Sequence, residues 1–423
     1  MGQAVDDGFG PGRGLMALAT ALAELEARTR PVAGVERVSL RNGLGRILAD
    51  DIVAATHLPP DDNAAVDGYA MRFDDLPPAA ASRLPVIGRA AAGHPYAGAV
   101  PPGCAVRIFT GAPVPAGLDT IVMQEDCRGE DDLVVIPPVR MRGANLRRAG
   151  EDVVAGSTVL TRGTRLEPPH IGLAAALGQA AVPVFRPLRV AVFSTGDELT
   201  EPDQAPVPGR IRDANRYALM ALLQRLGTDV SDLGILPDRL EAIRDGLAAA
   251  AGQHDLIVTS GGMSVGEEDH VKAAVESLGR LHLWRLAIKP GRPIGLGRVA
   301  GVPFIGLPGN PVAMVVTFLR VARPLVIKLG GGVNEALPCY PVRADFSLKK
   351  KPGRREWVRA VLVRGAEAAG WADGLPLARM WPRQGSGILT SLVAADGLIE
   401  LDEDLAQVEP GMTVPFLPFH GLM

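Results

Sequence analysis

Apolar positions change their period along this chain, and each change predicts a different kind of element. Leu15, Leu18, Leu22 and Leu25 recur at helical spacing with Glu24 and Glu26 interleaved, so an amphipathic helix is expected to begin the fold. Between about Ala54 and Arg148 the text turns to short runs such as Ala105 to Phe109 and Thr120 to Met123, punctuated by Pro and Gly, which predicts a β-rich module. From Pro187 to about Gly332 apolar strands alternate with helical segments. Strands are expected at Arg189 to Phe193, Leu256 to Thr259 and Val302 to Ile305, and helices at Ala218 to Leu226, Leu240 to Ala251 and His270 to Leu278. That rhythm predicts a parallel sheet covered by helices. After Pro338 short alternating runs return at Val342 to Phe346, Trp357 to Val363, Gly397 to Leu401 and Thr413 to Leu417, so a small β-barrel or sandwich is expected to close the chain.

Length and charge narrow the function. At 423 residues, with a prior of ~150 per domain, several modules are expected. A net charge of −3 argues against a protein that neutralises a nucleic-acid backbone, and a small-molecule substrate fits better. No apolar run reaches the ~18 residues of a membrane span, and the opening segment has no apolar signal core. Cys104, Cys127 and Cys339 lie far apart and form no CxxC pair, so neither a zinc knuckle nor a disulfide framework is implied. A cytoplasmic protein is the expectation.

The candidate chemistry sits in loops after the α/β strands. Ser260, Gly261, Gly262, Met263 and Ser264 follow an apolar strand and lead through Glu267, Glu268 and Asp269 into a helix, where open α/β sheets bind ligands. The glycines let backbone N–H groups approach an anion, and Asp269 offers a hard oxygen suited to Mg²⁺; the same acids also suit a plain helix start. Ser194, Thr195, Gly196, Asp197 and Glu198 end another strand and should reach the same sheet edge. A third group joins Arg285, Lys289 and Arg292 to Pro308, Asn310 and Pro311, with Asn310 reading as an N-cap and Pro311 as the first helical residue. Its cations suit a phosphate or another oxyanion, although lone basic residues are more often solvated. In the β-rich part, Asp67 before Gly68 suits an Asx turn as well as a site, and the turns at Arg107 to Pro113 and Arg147 to Asp152 carry further polar groups.

Two other motifs occur in the chain. Gly262 to Gly266 matches GxSxG, but a serine hydrolase would need a partner His from His282 or His420 and an oxyanion loop that is missing. Gly295 to Gly301 places its third glycine one residue late for a dinucleotide fingerprint and reads better as a hairpin turn, while the lack of any Gly-Lys dipeptide excludes a Walker A loop.

Taken in order, DNAAVDGYA, RIFTGAPVP, LRRAGEDV, FSTGDEL, TSGGMSVGEED, LAIKPGRP and GLPGNPV resemble the bacterial MoeA family of molybdopterin molybdenumtransferases and the C-terminal part of gephyrin, from about Leu15 to the end. The resemblance implies a multidomain α/β protein. Its parts are an N-terminal helix with the first part of a linking domain (15–53), an inserted β-rich domain (54–148), the second part of the linking domain (149–186), a MoaB/MogA-like three-layer molybdopterin-binding domain (187–336) and a C-terminal β-barrel (337–423). It also implies an elongated homodimer with its active site near the subunit interface, and transient contact with other proteins of molybdenum cofactor synthesis. The implied substrates are molybdate and adenylylated molybdopterin, with AMP released and Mg²⁺ assisting.

By the same resemblance Glu198, Asp238 and Asp269 position the metal or the pterin phosphate, and Lys289 with Arg285 takes the anionic ligand. Asp67, Thr110, Arg147 and Asp152 complete the site from the β-rich and linking segments, and Arg354 and Ser386 from the C-terminal part meet molybdate or phosphate. Three positions depart from the family pattern. Arg285 and Arg292 stand where lysine is common, which turns a point charge into a planar fork, and Ala149 replaces a position that is often basic. A molybdopterin adenylyltransferase resembles only the α/β part, and a gephyrin-like scaffold would bind a partner's peptide instead.

Overall fold

The structure is a computed structural model that describes residues 15–262, 270–334, 336–364 and 374–423. The first helix runs over Leu18–Arg28 and buries Leu18, Ala21 and Leu25 on one face, as its spacing predicts. Leu15 lies outside it and is 44% exposed, while Met16 forms a bridge to Leu286.

At the centre of the chain lies a six-stranded sheet in the order Asp229–Leu236, Arg189–Thr195, Leu256–Ser260, Val302–Leu307, Pro293–Val299, Gly279–Arg285. The first four strands are parallel and the last two antiparallel, so the sheet is mixed rather than purely parallel. The physical reason is a tight hairpin: Ala300 and Gly301 both adopt positive φ, 48° and 87°, which turns Pro293–Val299 directly into Val302–Leu307. Gly297 sits in this ribbon because an added Cβ would lie 2.2 Å from the Arg280 carbonyl oxygen. The segment read as a hairpin rather than a dinucleotide loop is therefore a hairpin.

Helices Leu240–Ala251 and His270–Leu278 cover one face of the sheet over Phe193, Ile257 and Phe304, and both spans match the sequence pattern. The other face packs on Asn215–Arg225 and on a helical run from Pro311 to Leu329. That run widens to a π turn at Phe318–Ala322 just before Pro324, which has no N–H to return to the preceding turn. Parallel register aligns Thr195 with Leu236 and Ser260 with Leu307, so the loops after these strands all open at one edge.

Further sheets are built from the chain before and after this layer. Val35–Ser39 and Ile47–Leu48 pair with Ala181–Phe185, and Ile52–Val53 pairs with Thr158–Leu160, so chain from both sides of residues 54–148 closes one small core. Between them, six strands from Gly68–Met71 to Leu133–Ile136 form a separate sheet with its own apolar clusters. The C-terminal strands Arg355–Leu362, Leu377–Met380, Tyr340–Ala344, Thr413–Pro418 and Gly397–Leu401 follow one another around a closed barrel, since the last pairs back to the first. A barrel, not a sandwich, ends the chain. The two-residue strand Ile288–Lys289 pairs in parallel with Arg355 and Glu356, which splices the α/β layer to the barrel.

Candidate functional site

That splice creates the main cavity. A space of about 990 Å³ opens between the sheet edge and the barrel, and Glu198, Gly261, Gly262, Lys289, Arg292, Pro308, Asn310, Arg354 and Ser386 line it. The pairing of Lys289 with Glu356 in register brings the Lys289 Nζ to 3.0 Å from Glu356 Oε2, and Arg354 lies 3.5 Å from Oε1 of the same carboxylate. Glu356 is 2% exposed, so its charge is set down beside these cations away from water. The charged side chains that line the cavity, among the described residues, are the cations Lys289, Arg292, Arg354 and Arg359 and the carboxylates Glu198 and Glu356. Positive charge is in excess, and an anionic ligand is the complement.

The loops at the sheet edge are shaped by glycine. Gly261 and Gly262 have φ of 104° and 63°, and a Cβ at Gly262 would sit 2.5 Å from Val271. At Gly196, φ is 140° and an added Cβ would fall 2.4 Å from the Glu198 carboxylate, so the turn folds this acid back over the strand end. Ser260 Oγ donates to the Pro308 carbonyl at 3.1 Å and accepts from Asn215 Nδ2 at 2.9 Å, while the same amide nitrogen donates to the Gly309 carbonyl at 2.7 Å. Ser260 thus ties two cavity loops together. Asn310 occupies the N-cap position with Pro311 first in the helix, but its side chain makes no capping bond; the Met314 N–H reaches its carbonyl instead.

Other candidates stand behind or beside the cavity. Ser194 is wholly buried in its strand, and its Oγ meets no described partner. Thr195 Oγ1 donates to Asp238 Oδ1 at 3.2 Å, which links the ends of neighbouring strands. Asp197 is exposed in the turn beside Glu198, and Arg285 is exposed at the end of its strand; neither they nor Asp238 line the cavity. Ser264 and Asp269 lie outside the described residues.

The remaining candidates lie on the inserted sheet and the linking segment, and none of them lines the cavity. Asp67 Oδ1 accepts the Thr110 N–H at 2.8 Å and its hydroxyl at 2.7 Å, and these two bonds hold the Asp67 carboxyl below its usual range. The neighbouring Gly68 is required by packing, since a Cβ there would lie 2.0 Å from the Val122 carbonyl oxygen. Phe109 stiffens the same loop: the guanidinium groups of Arg107 and Arg89 each lie 4.6 Å from its ring centre. Arg147 pairs with Asn63 in a short strand and is exposed, and Asp152 is exposed with its N–H donating to the Leu58 carbonyl at 3.0 Å. At the departure Ala149, the backbone N–H donates to Asp62 Oδ1 at 2.8 Å, and Arg148 binds the other oxygen of that acid at 2.8 Å.

The sequence pattern did not mark Glu356 or Arg359. Arg359 is a charge inside the otherwise apolar run Trp357, Val358, Ala360, Val361, and that intrusion was the available signal; Glu356 stands before the run, next to Arg354 and Arg355, and nothing in its spacing sets it apart.

Family models match three consecutive stretches: the MoeA N-terminal region (domain I and II) at residues 16–178, a probable molybdopterin binding domain at 191–328 and the MoeA C-terminal region (domain IV) at 341–419. The chain is 38% identical over 390 residues to a molybdopterin molybdenumtransferase of Haemophilus influenzae, covering 92% of this chain and 95% of that protein. It is 37% identical over 402 residues to molybdopterin molybdenumtransferase 2 of Mycobacterium tuberculosis, with the same coverage. It is also 30% identical to gephyrin of Dictyostelium discoideum, over 90% of this chain and 59% of that one. A solved structure of the molybdopterin biosynthesis moeA protein from Pyrococcus horikoshii matches with a TM-score of 0.81 and 29% identity, over 96% of this chain and 100% of the other.

Proposed function

We propose, from the premise that the chain belongs to the MoeA family of molybdopterin molybdenumtransferases, that its cavity binds adenylylated molybdopterin and molybdate and releases AMP as molybdenum joins the dithiolene. The observation that carries this reading is the excess of cations, among the described residues, around a cavity of about 990 Å³ built where strand ends meet a barrel. Both substrates are anions. Lys289 and Arg354, fixed by the buried Glu356, offer charge to phosphate or molybdate oxygens, and Ser386 adds a hydroxyl. At Gly261, which lines the cavity, an added Cβ would have no neighbour nearer than 3.8 Å, and the bare backbone there suits close approach of a phosphate.

Mg²⁺ fits this donor set. Among the described residues no group of three or more His, Cys, Asp or Glu gathers as a metal cage. Mg²⁺ is instead commonly held by one or two carboxylates together with water and substrate phosphate, which suits Glu198 and Asp238 at neighbouring strand ends, with Asp269 as the further carboxylate that the family resemblance implies. When bound, the ion supplies positive charge where the pyrophosphate is cleaved.

The second group, Asp67, Thr110, Arg147 and Asp152, belongs in this reading to the same active site, reached from another copy of the chain. A homodimer accounts for candidate residues that stand apart from the described lining of this cavity in their own protomer. The five-part division at residues 53, 148, 186 and 336 and a cytoplasmic location, with transient handover to other cofactor-synthesis proteins, complete the proposal.

The test is AMP release from purified protein supplied with adenylylated molybdopterin and Mg²⁺, with and without molybdate. Molybdate-dependent release is expected. Formation of adenylylated molybdopterin from ATP without molybdate would assign an adenylyltransferase instead, and no turnover of either kind would point to a scaffold.

A further inference from the structure

The least explained charge at the cavity is Arg359. It is 1% exposed, lines the cavity from the middle of a barrel strand and pairs with no carboxylate among the described residues. A buried guanidinium without a counter-ion is costly, and burial lowers its pKa to about 10, so it remains protonated at neutral pH.

Its hydrogen bonds show where that cost is offset. Nη2 donates to the carbonyls of Arg383 at 3.1 Å and Gly385 at 3.0 Å, and Nε donates to Ser391 Oγ at 3.0 Å. Ser391, itself wholly buried, donates onward to the Ile388 carbonyl at 2.6 Å. The backbone of Arg359 is clasped too: its N–H donates to Gln384 Oε1 at 3.0 Å, and Gln384 Nε2 returns a bond to its carbonyl at 2.9 Å. On the far side of the loop, the Ser386 carbonyl accepts the Val312 N–H at 2.9 Å, which fastens it to the α/β layer. A segment with no regular secondary structure from Pro382 to Gly387 is thereby held from both walls of the cavity.

We infer that Arg359 is a positioning residue for the oxyanion substrate: its guanidinium gathers the Arg383 to Ser386 loop by two carbonyls so that Ser386 stands in a fixed place on the wall of the cavity that Arg354 also lines. This rests on the reading that Ser386 and Arg354 receive molybdate. The planar fork reaches the two carbonyls from Nη2 and the hydroxyl from Nε, whereas a lysine's three donors all radiate from one nitrogen and cannot span these two positions. The positive charge left without a carboxylate also favours a bound anion. Adenylylated molybdopterin, which spreads over the sheet-edge loops as well, depends less on this one loop.

The experiment compares wild type with Arg359→Met, Arg359→Lys and Ser391→Ala. Two readouts are taken: KM for molybdate and for adenylylated molybdopterin in AMP release, and the upward shift of the thermal midpoint on adding molybdate alone. Arg359→Met is expected to lower kcat/KM for molybdate by about 10²-fold, the scale of an ångström-sized misplacement, with KM for the pterin substrate unchanged. Arg359→Lys keeps the charge and should fail to rescue. Ser391→Ala, which removes one bond of three, should move molybdate KM the same way by less, and it decides the matter if the Arg359 variants do not fold. Equal losses for both substrates, full rescue by lysine, or an unaltered molybdate shift in Ser391→Ala and Arg359→Met would overturn the inference. A wild type that gains stability from molybdate yet releases no AMP would sink the functional reading alone, and the thermal shift would still judge Arg359.

Discussion

The cavity wall and the inserted sheet both carry candidate site residues, but they hold them by opposite means. At the cavity, charged groups are fixed by burial: Glu356 and Arg359 are almost inaccessible, and they dictate where Lys289 and the Ser386 loop stand. On the inserted sheet, half-buried Asp67 and exposed Thr110 are held by the two bonds between them, beside the Arg–Phe109–Arg stack, while Arg147 stands exposed on a separate two-stranded pairing. A buried arrangement is ready before ligand arrives, because low dielectric makes each misplacement expensive. A partly exposed arrangement has the character of a surface waiting to be covered, and its charges gain strength only when water is excluded from them.

The largest effect expected from this contrast is at Lys289. Replacing it with Ala removes a cation from the cavity and leaves Glu356 buried with one partner fewer, so molybdate-dependent AMP release should fall by about 10²–10³-fold. Steady-state rates at saturating pterin substrate measure this directly. A loss of less than tenfold would mean that the cavity is not where the anions react.

Asp67→Ala comes next, with a fall of about 10²-fold expected if these residues complete the same reaction. The sharper form mixes the two variants. If Asp67 serves a partner's cavity, hybrid dimers of Lys289→Ala and Asp67→Ala contain one intact site and regain activity that neither variant has alone. If Asp67 serves its own chain, mixing restores nothing, and the contrast drawn between the two regions fails.

How much of this was legible in the chain follows from range. Loops at the sheet edge were readable because a strand, its glycine turn and the next helix are contiguous, as in Leu256 to Gly262 and Val302 to Pro311. Helices Leu240–Ala251 and His270–Leu278 were readable for the same reason, since a 3.6 period is a local property. The edge strands Asp229–Leu236 and Gly279–Arg285 were not, because their half-buried residues alternate weakly. Nor could spacing disclose that Lys289 meets Glu356, sixty-seven residues on, through a two-residue parallel pairing. Arg359 was marked only by being a charge within an apolar run: a strand buried on both faces has no alternation to say which way that charge points, so its role appears only once its partners are seen.

The smallest effect on activity, and a control on all the others, is expected at Asp255, which lies at the start of a central strand and far along the sheet from the loops. It accepts Arg186 at 2.5 and 2.7 Å, the Arg189 N–H at 2.9 Å and the Arg189 side chain at 3.1 Å. Burial alone would raise its pKa, but the bonds from Arg186 and Arg189 outweigh that and carry it well below the usual carboxylate range. A carboxyl whose folded pKa is depressed stabilises the fold fully above its unfolded pKa of about 3.9, and that contribution drains away as pH falls through the folded value. Asp255→Asn should therefore cost about 1.5–3 kcal/mol at pH 7, the scale of hydrogen bonds to a charged group. The gap between variant and wild type in urea unfolding should narrow as pH is lowered below 4, while AMP release at neutral pH stays unchanged. If that variant loses activity as steeply as Lys289→Ala, the losses at the cavity report a weakened sheet rather than missing charge, and the distinction between the two regions would have to be rebuilt on stability alone.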